Sequence, residues 1–236
     1  MADTFFYSPG IRVSQQLPEQ ESQHCVKVLR MKEGDKLTVT DGKGFFYPCT
    51  LLQAHPKHCI VSIDEEIPRP KSWDFTLHIA FAPTKNIDRI EWFAEKATEL
   101  GVDRFSPLLC RFSERKELKG ERVEKIVVSA MKQSQQAVMP IIDPMIPFRQ
   151  FVENPFTGRK FIAHCRPDPN KMALAKTCRK GEDALILIGP EGDFSEEEVQ
   201  QALDLGFEPV SLGENRLRTE TASLLACHTI HVLNAR

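Results

Sequence analysis

The segment from Ala184 to Ala226 constrains the fold more than any other part of the chain. ALILIGPEGDFSEEEVQQALDLGFEPVSLGENRLRTETASLLA reads as two strand–loop–helix units in succession. Ala184 to Ile188 is a short apolar run, the pattern of a strand buried on both faces. It stops at Gly189-Pro190-Glu191-Gly192, where the two strongest breakers surround one acid. Ser195 and Glu198 spell a capping box, and Glu196 to Glu198 put negative charge at the positive end of the helix that starts there. Gly206 ends that helix. A second strand, Pro209 to Leu212, runs into Gly213-Glu214-Asn215-Arg216-Leu217-Arg218, and Thr219 is placed to cap a last, mostly apolar helix. Both loops leave the carboxyl ends of strands, where open α/β sheets hold ligands.

Glycines at 189, 192 and 213 let a ligand approach the backbone, so recognition can come from main-chain groups. The first loop is no phosphate cradle. It lacks the G-x-G-x-x-G pattern and the Lys-Ser/Thr of a P-loop. Asp193 and Glu196 to Glu198 crowd the helix start where a phosphate would sit. A neutral or cationic small molecule fits better; ordinary glycine-turned βα connections are the alternative.

GPEGDF, followed by LGENRLRTETA, resembles the signature of SPOUT-class RNA methyltransferases. More narrowly, it is similar to the family that methylates N3 of a uridine in 16S ribosomal RNA. That resemblance implies an α/β domain with a parallel sheet and a deep trefoil knot that binds S-adenosylmethionine. Position by position, it implies cofactor contacts from Ile188, Gly189, Pro190, Glu191 and Gly192, then Leu212, Gly213, Leu217, Arg218, Thr219, Glu220 and Thr221. It further implies small-subunit RNA as partner and a homodimer, for which the apolar helix from Ala222 to Leu233 is suited. True knots are nearly absent among folds, so this expectation comes from the resemblance alone.

The chain's 236 residues allow one large or two modest domains, and 41% hydrophobic with 27% charged content is ordinary for a soluble globular protein. A net charge of −2 gives no sign of nucleic acid, so any RNA-binding surface must be local. No apolar run approaches a membrane span, and the start has no signal-peptide core. The seven cysteines are scattered and never in C-x-x-C, which points to reduced thiols in the cytoplasm and to no zinc site. His228 and His231 have no evident third ligand partner, so no metal is expected.

Residues 1–70 show strand alternation at Lys36 to Thr40, Phe45 to Ala54 and His58 to Asp64, joined by glycine turns, after a short helix from Glu19 to Arg30. This suggests a small barrel. The stretch from His24 to Asp35 and the Asp41-Gly42-Lys43-Gly44 turn are similar to the PUA-like RNA-binding domain of the same family. Arg12, Lys27, Arg30, Lys32 and Lys43 are its candidate phosphate contacts, or else solvated surface charges. Glu65 to Lys71 carries two prolines and reads as a stiff connector outside any sheet. The boundary is placed there, leaving residues 71–236 for the methyltransferase domain.

From Phe75 on, strands alternate with helices: Phe75 to Ala82, Asn86 to Leu100, Phe105 to Leu109, Glu121 to Val138, and Lys160 to Cys165. Such alternation implies a parallel sheet covered on both faces. Lys85 matches the lysine of the family pattern after the first strand. Arg111 to Lys125 holds six basic and four acidic residues, either an RNA-contacting loop or a solvated mixed-charge face. Lys132-Gln133-Ser134-Gln135-Gln136 stands where many family members have Glu-Gln-Ser-x-Arg, so Lys132 replaces the acid and Gln136 the arginine. His164 and Arg166 end the Lys160 strand at the edge of the cofactor loops.

Methyl transfer to a uracil N3 needs its proton removed and charge on the flanking carbonyls stabilised. Arg218 is the first candidate for the electrostatic role, followed by Lys85 and Arg166, the latter two also as RNA contacts. Glu191 or Glu220 could accept the proton or orient the loop. Two other readings stand beside the methyltransferase: a non-catalytic RNA-binding protein retaining the SPOUT fold, supported by the altered 133–136 segment, and an ordinary α/β hydrolase or nucleotide-binding enzyme. The last lacks a nucleophile elbow, a P-loop and a metal cluster.

Overall fold

The computed structural model describes residues 4–235. Contacts divide the chain into two units, Met1–Ser72 with Val128–Met139, and Trp73–Val127 with Pro140–Arg236.

In the first unit, β1 (Phe5–Tyr7) leads through the short helices α1 (Ile11–Ser14) and α2 (Glu19–Gln23) into a π-helical turn over His24–Val28. The helix predicted for 19–30 is thus two short pieces of different pitch. β2 (Lys36–Thr40), β3 (Phe45–Gln53) and β4 (Ile60–Ile63) form an antiparallel meander, with β1 parallel to β2. The other side of β4 is taken by the chain that follows α1. Leu17 N–H donates to Cys59 O at 3.0 Å, and Val61 N–H to Gln15 O at 2.9 Å. One short stretch therefore covers both sheet edges, as small barrels do. Alternate side chains Leu37, Val39, Tyr47, Cys49, Leu51 and Val61 meet Phe6, Ile11, Leu17 and Cys25 in one core. The proline-bearing connector differs from expectation. Its β5 (Ile67–Pro68) pairs antiparallel with β3, which proline allows at a sheet edge.

The second unit begins with β6 (Leu77–Phe81), α3 (Ile87–Leu100) and β7 (Arg104–Leu109), followed by α4 (Gly120–Gln133), whose final turns belong to the first unit. Short β8 (Ile141–Ile142), β9 (Ile146–Pro147) and α5 (Phe148–Val152) precede β10 (Arg159–Ala163), β11 (Met172–Ala173) and α6 (Leu174–Thr177). β12 (Ala184–Ile188), α7 (Glu196–Asp204), β13 (Glu208–Ser211) and α8 (Thr219–Asn234) complete it. The sheet is parallel, as the alternation implied, in the order β11-β13-β10-β12-β6-β7-β8, with β9 also beside β7. β12 and β13 are consecutive strands, yet β10 lies between them, its Ala163 level with Ile188 on one side and Val210 on the other.

Local signals set the helix ends. The Asn86 side chain accepts from Asp88 N–H at 3.0 Å at the start of α3. Gly101 ends it at φ 108°, where a Cβ would meet the Trp73 ring at 2.7 Å, so only glycine fits. Phe81, Phe93 and Phe105 pack edge-to-face at 5.1 to 6.4 Å. Leu108, Phe148, Leu187, Phe194, Val199, Ala202 and Phe207 form another cluster, to which α5 and α7 contribute. α4 stops at Gln133 rather than continuing to Val138. Gln135 turns left-handed at φ 54°, and the N–H groups of Gln135 and Gln136 return to Lys132 O and Met131 O at 3.2 and 3.0 Å, a Schellman closure. The freed residues then pair within the first unit: Gly44 N–H donates to Ala137 O at 2.8 Å and Met139 N–H to Gly42 O at 2.9 Å.

At the amino ends of β6 and β7 lies a polar clamp. Arg104 grips both oxygens of Asp143 at 2.7 Å, and the Ser106 hydroxyl donates to the same carboxylate. With that proton committed, Ser106 Oγ accepts from His78 Nε2–H at 2.7 Å, which assigns the tautomer. Burial would raise the Asp143 carboxyl, but its bonds to Arg104 and Ser106 carry it below the usual range. Burial, with the Arg104 charge adding, holds the His78 imidazole down to about 4 from an ordinary 6.5. The unfolded chain binds that proton more readily, so this contribution to stability is whole above pH 6.5 and is lost as pH falls toward 4. The change amounts to about 3 kcal/mol. His78→Asn should flatten the dependence of unfolding free energy on pH in that window by this amount in denaturant titrations. An unchanged slope would refute the assignment.

Candidate functional site

Loops leaving the carboxyl ends of β12, β10 and β13 surround a cavity of about 260 Å³. The first loop gives Ile188, Gly189, Pro190, Glu191 and Asp193. The chain after β10 gives Ala163 and Cys165, and the second loop with the start of α8 gives Arg216, Leu217, Arg218, Thr219 and Ala222. An adjoining hollow of about 560 Å³ shares Ala163, Cys165, Arg216, Leu217 and Ala222 and adds His164, Lys171, Leu212 and Gly213.

Hydrogen bonds tie these loops to one another. The Thr219 hydroxyl donates to Gly189 O at 2.9 Å, joining the start of α8 to the first loop. Arg216 Nη2 donates to Glu191 O at 3.2 Å. Cys165 N–H donates to Asp193 Oδ2 at 2.9 Å, which holds Asp193 at the left-handed φ of 68° that closes the turn. Lys85 N–H donates to Glu191 Oε1 at 2.9 Å, so the turn after β6 is anchored too. The predicted capping box is present: Glu198 N–H donates to Ser195 Oγ at 3.2 Å and Ser195 N–H to Glu198 Oε2 at 2.8 Å. Thr219 differs from its predicted role. Arg218 is the N-cap of α8, and the Thr219 hydroxyl crosses to the first loop instead of capping.

Of the residues singled out from sequence, Ile188, Gly189, Pro190, Glu191, Leu217, Arg218 and Thr219 line the cavity, while Leu212 and Gly213 line the adjoining hollow. Gly192 faces away from both and lies against Phe112. Glu220 and Thr221 line a separate hollow with Asp88, Arg89, Trp92 and, again, Arg218. Glu220 is buried, with Oε1 3.7 Å from Arg89 Nε and Oε2 without a hydrogen-bond partner among the described residues. Lys85 is exposed and its Nζ pairs with Glu114 at 3.0 Å. Arg166 Nε reaches Phe194 O at 3.4 Å. Neither lines the cavity. Ala163 and Cys165 were not anticipated, because nothing local in the sequence says that β10 separates β12 from β13. His164 is buried, with no hydrogen bond to either ring nitrogen among the described residues and Asp168 Oδ2 3.9 Å from Nε2; burial, with the Lys171 charge adding, holds its imidazole below the usual range. His231 is structural, its Nε2 meeting Gly101 O.

In the first unit, Lys27, Arg30, Lys32 and Lys43 are exposed, and Arg12 pairs with Glu66 at 3.2 Å. Lys132 is half-buried against Glu21, its Nζ 2.6 and 3.0 Å from the two carboxylate oxygens. The lysine that departs from the family pattern thus has its own acidic partner. Gln136 Nε2 donates to Ser134 Oγ at 3.1 Å.

The cavity suits S-adenosylmethionine by its donor set. Ile188, Pro190, Leu217 and Ala222 offer apolar contact, buried Gly189 brings backbone to the wall, and Glu191 and Asp193 carry the charge a sulfonium attracts. The family model for the RNA methyltransferase domain matches residues 71–231, and that for the RNA methyltransferase PUA domain residues 17–64. Ribosomal RNA small subunit methyltransferase E of Aquifex aeolicus is 31% identical over 223 residues, 87% of this chain and 89% of that protein. A crystal structure of a probable rRNA-methyltransferase from Porphyromonas gingivalis superposes with a TM-score of 0.92 at 44% identity, covering 98% of both chains. Ribosomal RNA small subunit methyltransferase E of Neisseria gonorrhoeae, bound to S-adenosyl methionine, superposes with a TM-score of 0.83 at 27% identity, covering 98% of both.

Thr219→Val keeps the shape but leaves the Gly189 carbonyl without its donor. It should lower stability by about 1–3 kcal/mol in denaturant unfolding and weaken S-adenosylmethionine binding in calorimetry. Thr219→Ser should recover both; equal behaviour of all three proteins would remove the bond from the account.

Proposed function

This chain belongs to the RNA methyltransferase family, and from that premise we propose that it methylates N3 of a uridine in the 16S RNA of the small ribosomal subunit. It is an S-adenosylmethionine-dependent methyltransferase of ribosomal RNA; the base and atom are the proposed part. The observation that carries the reading is the cavity itself: three parallel strand ends, two cross-bonded glycine loops, acids in the wall and a guanidinium at the mouth. When bound, the cofactor supplies a methyl carried on a sulfonium. We read the Thr219–Gly189 bond as the place where the chain threads itself into a trefoil knot.

The chain's own residues position the reactants and handle the proton. Glu191 orients the first loop through Lys85 N–H, which leaves Glu220 as the acid with an unpartnered oxygen. In the proposed step the uracil N3–H bond breaks toward Glu220 Oε2 as the nitrogen lone pair is released for transfer. Arg218, the residue common to the cavity and to the hollow lined by Glu220, holds the charge that builds on the flanking carbonyl oxygen. Lys85 and Arg166 lie outside the cavity wall and serve as phosphate contacts. Residues 1–70 grip RNA through Lys27, Arg30 and Lys32, which form no ion pair among the described residues, with Arg12 and Lys43 at its margins. The paired Lys132 gives no support to a non-catalytic reading.

The homodimer forms along α3 and α8. These helices pack together and leave Trp92 44%, Leu100 36% and Val232 57% exposed, apolar side chains available to an isologous contact. Seven free cysteines fit a reducing cytoplasm.

Incubating the protein with S-adenosylmethionine and either small subunits or naked 16S RNA, then mapping the modified base, tests the reading. One methylated uridine N3 is expected, and modification of another atom or none would overturn it. Arg218→Ala should lower kcat by about a hundredfold at saturating S-adenosylmethionine. Lys27→Ala with Arg30→Ala should raise KM for RNA and leave kcat in place. For the dimer, Trp92→Glu with Val232→Glu should sediment as a monomer at a concentration where the unaltered chain is a dimer. A monomeric unaltered chain would dismiss that interface.

A further inference from the structure

We propose that Phe112 is a stacking platform for a base of the RNA substrate at the edge of the cofactor loop. This inference rests on the RNA methyltransferase reading above. Phe112 stands at the tip of a tight turn after β7. Cys110 N–H donates to Ser113 Oγ at 3.0 Å and Ser113 N–H returns to Cys110 O at 3.1 Å, both residues being buried. Two flanking arginines pin the turn. Arg111 N–H donates at 2.8 Å to Glu198 Oε1, the carboxylate whose other oxygen caps α7. Arg115 Nε donates to Thr84 O at 2.9 Å and its Nη2 to Lys85 O, while Lys85 Nζ meets Glu114 at 3.0 Å.

A phenylalanine fixed this firmly is nevertheless 45% exposed. Its inner edge rests on the cofactor loop, since a Cβ at Gly192 would come within 3.1 Å of Phe112 Cβ. The Arg111 guanidinium carbon stands 5.9 Å from the ring centroid. One exposed aromatic on a surface needs no explanation. A rigid one, abutting the loop that lines the cavity and with the Arg111 guanidinium beside it, combines the two elements that hold single-stranded nucleic acid: a π face and a cation for the backbone. It is too small a patch to dock a protein. Its rigidity also matters, because a preordered ring loses little conformational freedom when a base settles on it.

The test uses the full chain with small subunits or naked 16S RNA as substrate. Phe112→Ala should lower kcat/KM for RNA by about tenfold or more, mainly through KM, with S-adenosylmethionine affinity and melting temperature unchanged. Phe112→Trp should keep full activity, and its emission, taken as the difference from the unaltered protein, should be quenched when RNA binds. Phe112→Leu keeps the packing on Gly192 without the π face and should behave as the alanine variant. Leucine matching the unaltered protein while alanine does not would make Phe112 a packing residue and overturn the proposal. So would an alanine variant with unaltered kcat/KM. If the unaltered chain neither binds nor methylates this RNA, the underlying reading fails and the platform with it, a result distinct from either of the others.

Discussion

The position of β10 between β12 and β13 is the constraint on which the site depends. Neighbouring strands lie about 4.8 Å apart, so the two glycine loops start about 10 Å from each other with a third strand end between them. That separation leaves room for a cavity, and cross-bonds among the strand ends tie its walls together. Thr219 to Gly189, Arg216 to Glu191 and Cys165 to Asp193 supply them. The parallel register, with Ala163 level with Ile188 and Val210, brings the three strand ends out at one height.

The acids near the first loop act mainly as acceptors for main-chain N–H groups. Glu191 takes that of Lys85, Asp193 that of Cys165, and Glu198 those of Ser195 and Arg111. A carboxylate bonded to backbone fixes a loop more firmly than a neutral acceptor does. Glu191 and Asp193 also set a negative field in the cavity wall, which Arg216 and Arg218 line as well. A chain of net charge −2 can therefore present opposite signs to two ligands within one site.

What could be read from the residues was whatever they encode locally. The capping box of Ser195 and Glu198 and the glycine stop at 206 each involve groups a few residues apart, and both formed. Buried parallel strands announced themselves as apolar runs, and the two loops as glycine and proline clusters. Partners distant in sequence were illegible. Ala163 and Cys165 reach the cavity because of strand order, which no periodicity carries. Thr219 looked like a cap because its competing acceptor, Gly189 O, is thirty residues back. α4 ended early because Gln135 accepted a left-handed conformation usually left to glycine, and the residues after it found partners in the turn at Gly42 to Gly44. Ile67 and Pro68 joined β3 where two prolines argued for a free connector.

The strand order also has a consequence for how the chain is made. β12 pairs with β6 and β10, β13 pairs with β10 and β11, and Thr219 bonds to Gly189. Every one of these partners lies earlier in the sequence. As synthesis runs from the amino terminus, each late segment emerges to find its template already in existence. The segments that complete the cavity are thus the ones that must join partners laid down before them.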